Sequence, residues 1–193
     1  MARQTAGISR REALMMSLAV SFTAPAIAIA ASTPDTPLHL MKPALLPPFQ
    51  FFNAKQQPVS LAQFRGRFVL LNIWASWYVP CRRDMASLDR LQARLGGPRF
   101  QVVPVSIDTG GLAPVIKFYS RNDIRHLGIY LDQSGSAMTL FNLQDIPAAF
   151  LIDPQGRLIG AKAGVAAWDS RGMLAFLTQT ISGHAGATKR GGQ

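Results

Sequence analysis

The stretch from Val69 to Cys81 reads V-L-L-N-I-W-A-S-W-Y-V-P-C and decides how the rest of the chain is interpreted. Its first half is an almost unbroken apolar run of strand length, which is typical of a strand buried on both faces of a sheet. After the Pro-Cys pair, apolar residues recur at spacings of three and four from Met85 to Leu95. The stretch therefore predicts a buried strand, a short loop and a helix that begins near Cys81.

Strands and helices alternate outward from this stretch. Upstream, the segments 49–52 and 58–61 predict a hairpin. The predicted elements downstream are a strand over 100–107, a helix over 114–121, a short strand over 128–132, a short helix over 137–143, a hairpin over 148–163 and an amphipathic helix over 170–181. Parallel strands linked by helices, followed by an antiparallel hairpin and a closing helix, indicate an α/β fold.

The composition favours one globular domain. The chain has 193 residues, of which 48% are apolar and 16% charged, and this length supports a full hydrophobic core. Its single cysteine excludes an intramolecular disulfide and a metal site built from a cluster of cysteines. The formal charge is +10, but the basic residues are scattered and form no nucleic-acid-binding motif, so we expect no nucleic-acid partner.

The three histidines, His39, His126 and His184, lie far apart in the sequence. None of them stands at a ligand-like spacing from Cys81, and a zinc or copper site needs several such ligands together. We therefore expect no metal site and no cofactor.

The first thirty residues predict an export signal. Arg3, Arg10 and Arg11 form a basic start, an apolar stretch follows, and small residues at 26–30 fit A-x-A cleavage. The segment from Ser9 to Leu14, S-R-R-E-A-L, is similar to the twin-arginine motif S-R-R-x-F-L-K. We therefore expect a periplasmic location. An uncleaved membrane anchor is the alternative, although Ser, Thr and Pro residues weaken the stretch as a spanning helix.

The remaining segments divide at changes in composition. Residues 31–47 form a proline-rich lead-in, and we expect it to stay out of the sheet interior because proline removes a backbone donor. Residues 48–182 form the folded domain. Residues 183–193 are rich in glycine and lack apolar periodicity, so they predict a flexible tail.

Four blocks of this chain resemble one family. The segment 74–81, W-A-S-W-Y-V-P-C, is similar to the W-A-x-W-C-x-P-C of exported thioredoxin-like proteins of the TlpA/ResA/CcmG kind. V-S-L-A-Q-F-R-G-R at 59–67 and V-L-L-N-I-W at 69–74 resemble the family's V-S-L-x-x-F-R-G-K and V-L-V-N-F-W. D-I-P-A-A-F-L-I-D at 145–153 resembles G-x-P-T-x-F-L-I-D, with Asp145 and Ala148 in place of Gly and Thr.

The resemblance covers about residues 45–182 and implies a thioredoxin-like fold. In that fold a central mixed sheet is flanked by helices, and an N-terminal hairpin and a central βα insert are added to it. It also implies thiol-disulfide chemistry with two cysteines, the first attacking as a thiolate and the second resolving the mixed disulfide. Tyr78 stands at the first position and Cys81 at the second. This chain therefore cannot carry out the ordinary dithiol cycle, because the phenol of Tyr78 cannot replace the attacking thiolate.

Three residues around the motif carry more than one interpretation each. Cys81 is either a reactive lone thiol, with Arg82 and Arg83 lowering its pKa, or an inert and partly buried resolving cysteine. Tyr78 either fills the place of the lost thiol or offers its hydroxyl to a ligand, unless it is a relic of sequence drift. Asp84 either tunes the thiol, as the family's Glu at this position implies, or is a first-turn acid that favours the helix N-terminus.

Four further residues predict a groove for a polypeptide. The resemblance implies a cis peptide bond between Ile146 and Pro147, in a loop beside the active site that offers backbone hydrogen bonds to a bound strand. Trp77 and Pro80 lie on the facing loop, and Trp77 is the candidate for an apolar contact surface. For Trp74 we expect a place in the core.

The sequence leaves three functions open. The first is a relative of thiol-disulfide oxidoreductases that acts as a monothiol or binds a partner, which we expect to be a periplasmic polypeptide or thiol protein. The second is a one-cysteine, peroxiredoxin-type peroxidase with Cys81 as its thiol, although Trp74 and Tyr78 replace the Pro and Thr of that motif. The third is a non-catalytic periplasmic scaffold or chaperone.

Overall fold

The computed structural model of the protein describes residues 38–188. The predicted export signal lies outside these residues, as do residues 31–37 of the proline-rich lead-in and residues 189–193 of the predicted tail. The strands are β1 (His39–Leu45), β2 (Gln50–Asn53), β3 (Pro58–Ser60), β4 (Phe68–Trp74), β5 (Phe100–Ser106), β6 (Tyr130–Leu131), β7 (Ala148–Ile152) and β8 (Arg157–Ala163). The helices are α1 (Val79–Leu95), α2 (Leu112–Arg121), α3 (Ser136–Leu140) and α4 (Arg171–Thr188), with a short 3-10 helix at Leu61–Phe64.

All eight strands form one mixed sheet in the order β1-β8-β7-β4-β5-β6-β2-β3. β4 pairs in parallel with β5 and antiparallel with β7, so the apolar run of the sequence is the central strand. All seven of its residues are buried, as its unbroken hydrophobicity predicts. The α/β fold, with β2–β3 as an N-terminal hairpin and β6–α3 as an insert, is confirmed.

Two differences from the sequence analysis concern the ends of the domain. Residues 39–45, which we assigned to the lead-in, form an edge strand that pairs antiparallel with β8. Pro43 is tolerated because it lies on an edge strand, where the register shifts between Leu40 and Ala44. At the other end α4 continues to Thr188, past the boundary we placed at residue 182.

Helix α1 is favoured by the residues at its two ends and by the apolar residues on its buried face. Pro80 lies in the first turn, where its missing N–H costs nothing, and the helix ends at Gly96. Met85, Leu88 and Leu91 are fully buried against the sheet. Truncating one of these leucines to alanine costs about 2–5 kcal/mol in cores of this kind, so α1 and the loop before it are held firmly in place.

None of the helices in residues 38–188 combines the length and the apolar character needed to cross a bilayer.

Candidate functional site

The W-A-S-W-Y-V-P-C segment forms the loop from the end of β4 to the first turn of α1. Asp108, buried just after β5, fixes this loop by accepting hydrogen bonds from the Ser76 backbone N–H at 2.8 Å and from its hydroxyl at 2.7 Å. The Ser106 hydroxyl donates to the same carboxylate. Asp108 was not predicted as a site residue from the sequence, because its partner Ser76 is 32 residues away.

Cys81 lies in the first turn of α1 and is fully buried. Burial raises the pKa of its thiol to about 12, and the negative charges of Asp84, Asp145 and Asp108 act in the same direction. A backbone hydrogen bond at Ala75 opposes this rise only in part. The thiol is therefore almost entirely protonated at neutral pH.

Arg82 and Arg83 do not lower the pKa of Cys81, contrary to one of the two interpretations above. Both side chains are exposed, and the guanidinium of Arg82 lies over the Phe118 ring, 5.8 Å from its centroid. Sequence neighbours on a helix point in different directions, so the adjacent charges face solvent while the thiol faces the core.

Tyr78 is the N-cap residue of α1, with an extended backbone and a half-buried side chain. Its hydroxyl donates to Asp145 Oδ2 at 3.4 Å, and its ring lies 5.8 Å from the ring of Trp77. The charge of Asp145 raises the pKa of the Tyr78 phenol, with lesser contributions from burial and from the hydrogen bond itself. Tyr78 thus keeps its proton and uses it to link the α1 loop to the loop before β7.

Asp84 lies beyond the first turn of α1 and is buried, so the interpretation of it as a first-turn acid is wrong. Its carboxylate accepts hydrogen bonds from the Ala166 N–H at 3.0 Å and from Trp168 Nε1–H at 3.1 Å. Burial raises the pKa of Asp84 to about 6, against the effects of these hydrogen bonds and of buried Lys162. Asp84 ties α1 to the segment between β8 and α4, and its proposed tuning of the thiol stays a prediction.

The peptide bond between Ile146 and Pro147 is cis, as predicted. The carbonyl of Pro147 accepts a hydrogen bond from the Gly164 N–H at 2.8 Å. The N–H of Ile146, which the resemblance implies is free for a bound strand, donates instead to Asp145 Oδ1 at 2.7 Å. Asp145 therefore holds the Ile146 N–H with one oxygen and the Tyr78 hydroxyl with the other.

The facing loop presents an apolar surface to solvent. Trp77 is 64% exposed and Val79 is 53% exposed, whereas Trp74 is fully buried in the core as expected. Pro80 is half-buried between them and Cys81. The predicted residues on the two loops are thus brought together by the contact between Tyr78 and Asp145.

From the sequence, Asp145 was recognised only as a residue that differs from the glycine of the family pattern. Tyr78 also differs from that pattern, and the contact between these two residues identifies Asp145 as part of the site. A wide groove of about 810 Å³ elsewhere, lined by residues that include Leu46, Phe49 and Gly156, contains none of the predicted site residues. Among the described residues no group of three side chains is arranged to hold a metal ion.

The sheet order, the Pro-Cys pair at the start of α1 and the facing proline loop define a protein of the thioredoxin fold. The AhpC/TSA family model matches residues 44–161, which is more than half of the chain. The chain belongs to this family, and the likeness to the TlpA/ResA/CcmG-like branch is confirmed by the relatives and structures below.

The thiol-disulfide oxidoreductase ResA of Bacillus thuringiensis subsp. konkukian is 25% identical over 113 residues, which cover 58% of this chain and 64% of the relative. The chain thus matches slightly less than two thirds of the length of this relative. A DsbE-like thiol:disulfide interchange protein from Chlorobium tepidum is 28% identical, with a TM-score of 0.61 over 75% of this chain and 97% of its own.

The thioredoxin domain of a thiol-disulfide oxidoreductase from Bacteroides vulgatus has a TM-score of 0.62 at 18% identity, over 74% of this chain and 99% of its own. At that identity the likeness shows the fold alone.

Proposed function

We propose that this chain is an exported thioredoxin-like protein that binds a polypeptide partner through its Tyr78 loop and does not act as a dithiol reductase. The observation that carries the proposal is the contrast in exposure between the thiol and the residues beside it in the motif. Its cysteine is buried with a pKa of about 12, while Trp77 and Val79 beside it are exposed. The surface for a partner is therefore kept, and the thiol chemistry is not.

Disulfide exchange requires a thiolate that attacks and a second thiol that resolves the product. Position 78 supplies neither, because it is a tyrosine that keeps its proton. Cys81 is the single cysteine of the chain, so no intramolecular disulfide can form. The relatives that carry the name of thiol-disulfide oxidoreductase support descent from such enzymes, and the chemistry of the site supports loss of their reaction.

A peroxidase is disfavoured by the same features. Reaction with peroxide needs a low-pKa and accessible thiolate, and Cys81 is fully buried with its pKa raised. A monothiol function meets the same obstacle, because the partner would have to open the first turn of α1 to reach the sulfur.

The location follows from the first thirty residues, whose basic start, apolar stretch and twin-arginine-like motif favour export to the periplasm. The partner is then a periplasmic polypeptide. Exposed aromatic and aliphatic side chains beside a rigid loop are typical of contact surfaces of this kind.

A site-specific photo-crosslinker placed at position 79 of the full chain, in cells that export it, tests the proposal. We expect adducts with a defined polypeptide that persist in Cys81→Ser and are lost in Trp77→Ala. A crosslinker at Leu45, which is 82% exposed on the edge strand β1, is the matched control and should not give those adducts. Loss of the adducts in Cys81→Ser would instead assign the interaction to the thiol.

A further inference from the structure

Asp145 differs from the other exposed acid of the described chain. Of the aspartates in residues 38–188, only Asp123 and Asp145 are exposed, and Asp123 pairs with Arg125 at 2.6 Å. Ion pairs within these residues join Asp169 to Arg90, Asp123 to Arg125 and Asp153 to Arg157, and Asp89 contacts the His126 ring. Asp145 belongs to none of these pairs, and its side chain is exposed.

This acid stands out further because the protein is strongly basic, with a formal charge of +10. The nearest basic side chain after the motif, Arg82, is held over the Phe118 ring. The charge of Asp145 acts on both Tyr78 and Cys81, as their raised pKa values reflect. Asp145 thus places an exposed negative charge beside Tyr78 on a molecule whose overall charge is positive.

Tyr78 contacts this carboxylate directly, and Trp77 packs against Tyr78. The Tyr78 hydroxyl donates to Asp145, and the Trp77 ring packs against Tyr78 at 5.8 Å and 55° while remaining 64% exposed. An indole face next to a carboxylate attracts a cation in two ways, through the ring quadrupole and through direct charge. A cation bound at this position would be attracted by the Trp77 ring and by the Asp145 carboxylate.

We infer that Trp77, Tyr78 and Asp145 form a recognition site for a lysine or arginine side chain of the polypeptide partner. This inference rests on the proposed function and specifies the chemistry of its partner. The cation lies between the Trp77 ring and the Asp145 carboxylate, and apolar residues next to it in the partner contact Val79. The Ile146 N–H already donates to Asp145 and is not free to pair with a strand of the partner. The partner is therefore selected by its lysine or arginine side chain more than by strand pairing at Ile146.

The indole N–H signals of the three tryptophans in a ¹⁵N-labelled full chain give a direct test. Trp77 is exposed, whereas Trp74 and Trp168 are fully buried and report only on the fold. The probes are four decapeptides with the same apolar flanks and with Lys, Arg, Gln or Glu at the centre. We expect the Trp77 signal to shift with the Lys and Arg peptides at about three- to fivefold higher affinity than with the Gln peptide, and least with the Glu peptide.

Asp145→Asn should remove the preference for Lys and Arg, and raising the salt concentration should weaken it. Asp123→Asn is the matched control and should leave the preference intact, since Asp123 is an exposed acid with its own arginine. Unchanged Trp74 and Trp168 signals establish that each variant is folded.

Equal affinity for all four peptides would overturn this inference. The proposal that a polypeptide binds at Trp77 would still hold. A Lys and Arg preference that survives in Asp145→Asn would also overturn it. A Trp77 signal that none of the peptides shifts would count against the proposed function itself.

Discussion

Alkylation of Cys81 with iodoacetamide is expected to be very slow in the folded protein. With a pKa of about 12, about one thiol in 10⁴ is ionised at pH 8, whereas about one in four of ordinary cysteines, with a pKa of about 8.5, is ionised there. Because the thiolate is the reacting species, this difference alone slows labelling by about 10³-fold. The complete burial of Cys81 slows it further.

The assay follows the labelled fraction by mass spectrometry between pH 7 and 9.5, in buffer and in guanidinium chloride. In buffer the rate should rise about tenfold for each pH unit without reaching a plateau, because the whole range lies below the pKa of Cys81. In denaturant the rate should be half-maximal at about pH 8.5, the ordinary cysteine pKa, and should level off at higher pH. The variant Cys81→Ser controls for labelling at other side chains.

Two results would refute this reasoning. One is a rate in buffer within tenfold of the rate in denaturant at pH 8. The other is a plateau in buffer with its midpoint below pH 9, which would mean that the positive charges of Arg82 and Arg83 outweigh burial after all.

The remaining predictions concern the loop, the buried acid and the edge strand. Tyr78→Cys places a thiol at the N-terminus of α1, where the helix dipole favours a thiolate; we expect a disulfide with Cys81, seen as a loss of about 2 Da on mild oxidation, and a higher insulin reductase activity than that of the natural chain. Two free thiols in that folded variant would contradict it. The Trp168 indole signal should titrate with a midpoint of about 6 as Asp84 ionises, and Asp84→Asn should abolish the step. Because the folded pKa of Asp84 is raised, the stability it contributes is fully present below pH about 4 and is lost as the pH rises through about 6. A chain that begins at Leu46 should unfold at lower denaturant concentration than one that begins at Leu38, since it lacks β1 and exposes the edge of β8; equal midpoints would mean that β1 adds no stability.

The parts of the fold that were predicted from the sequence depend on local patterns. β4 and α1 were found because apolar runs and spacings of three and four are visible within a few residues. β1 was missed because its evidence is its pairing with β8, more than a hundred residues later, and because Pro43 resembles a linker signal.

The site shows the same limit more sharply. Its residues were identified from the motif, but the state of Cys81 depends on which neighbours surround its sulfur. The sequence placed two arginines next to it, but the fold exposes both arginines and brings three carboxylates close enough for their charges to raise the pKa of the thiol. The contact between Tyr78 and Asp145 joins residues 67 positions apart, and no local pattern indicates it.

The hydrogen bond between Tyr78 and Asp145 also constrains how this chain can evolve. A cysteine introduced at position 78 alone would lie beside the Asp145 carboxylate, whose charge disfavours a thiolate. Glycine introduced at position 145 alone would remove the acceptor of the Tyr78 hydroxyl and of the Ile146 N–H. We therefore expect epistasis, with Tyr78→Cys and Asp145→Gly together giving more reductase activity than the two separate gains combined. The gain from Tyr78→Cys alone is then only a part of what the two substitutions give together.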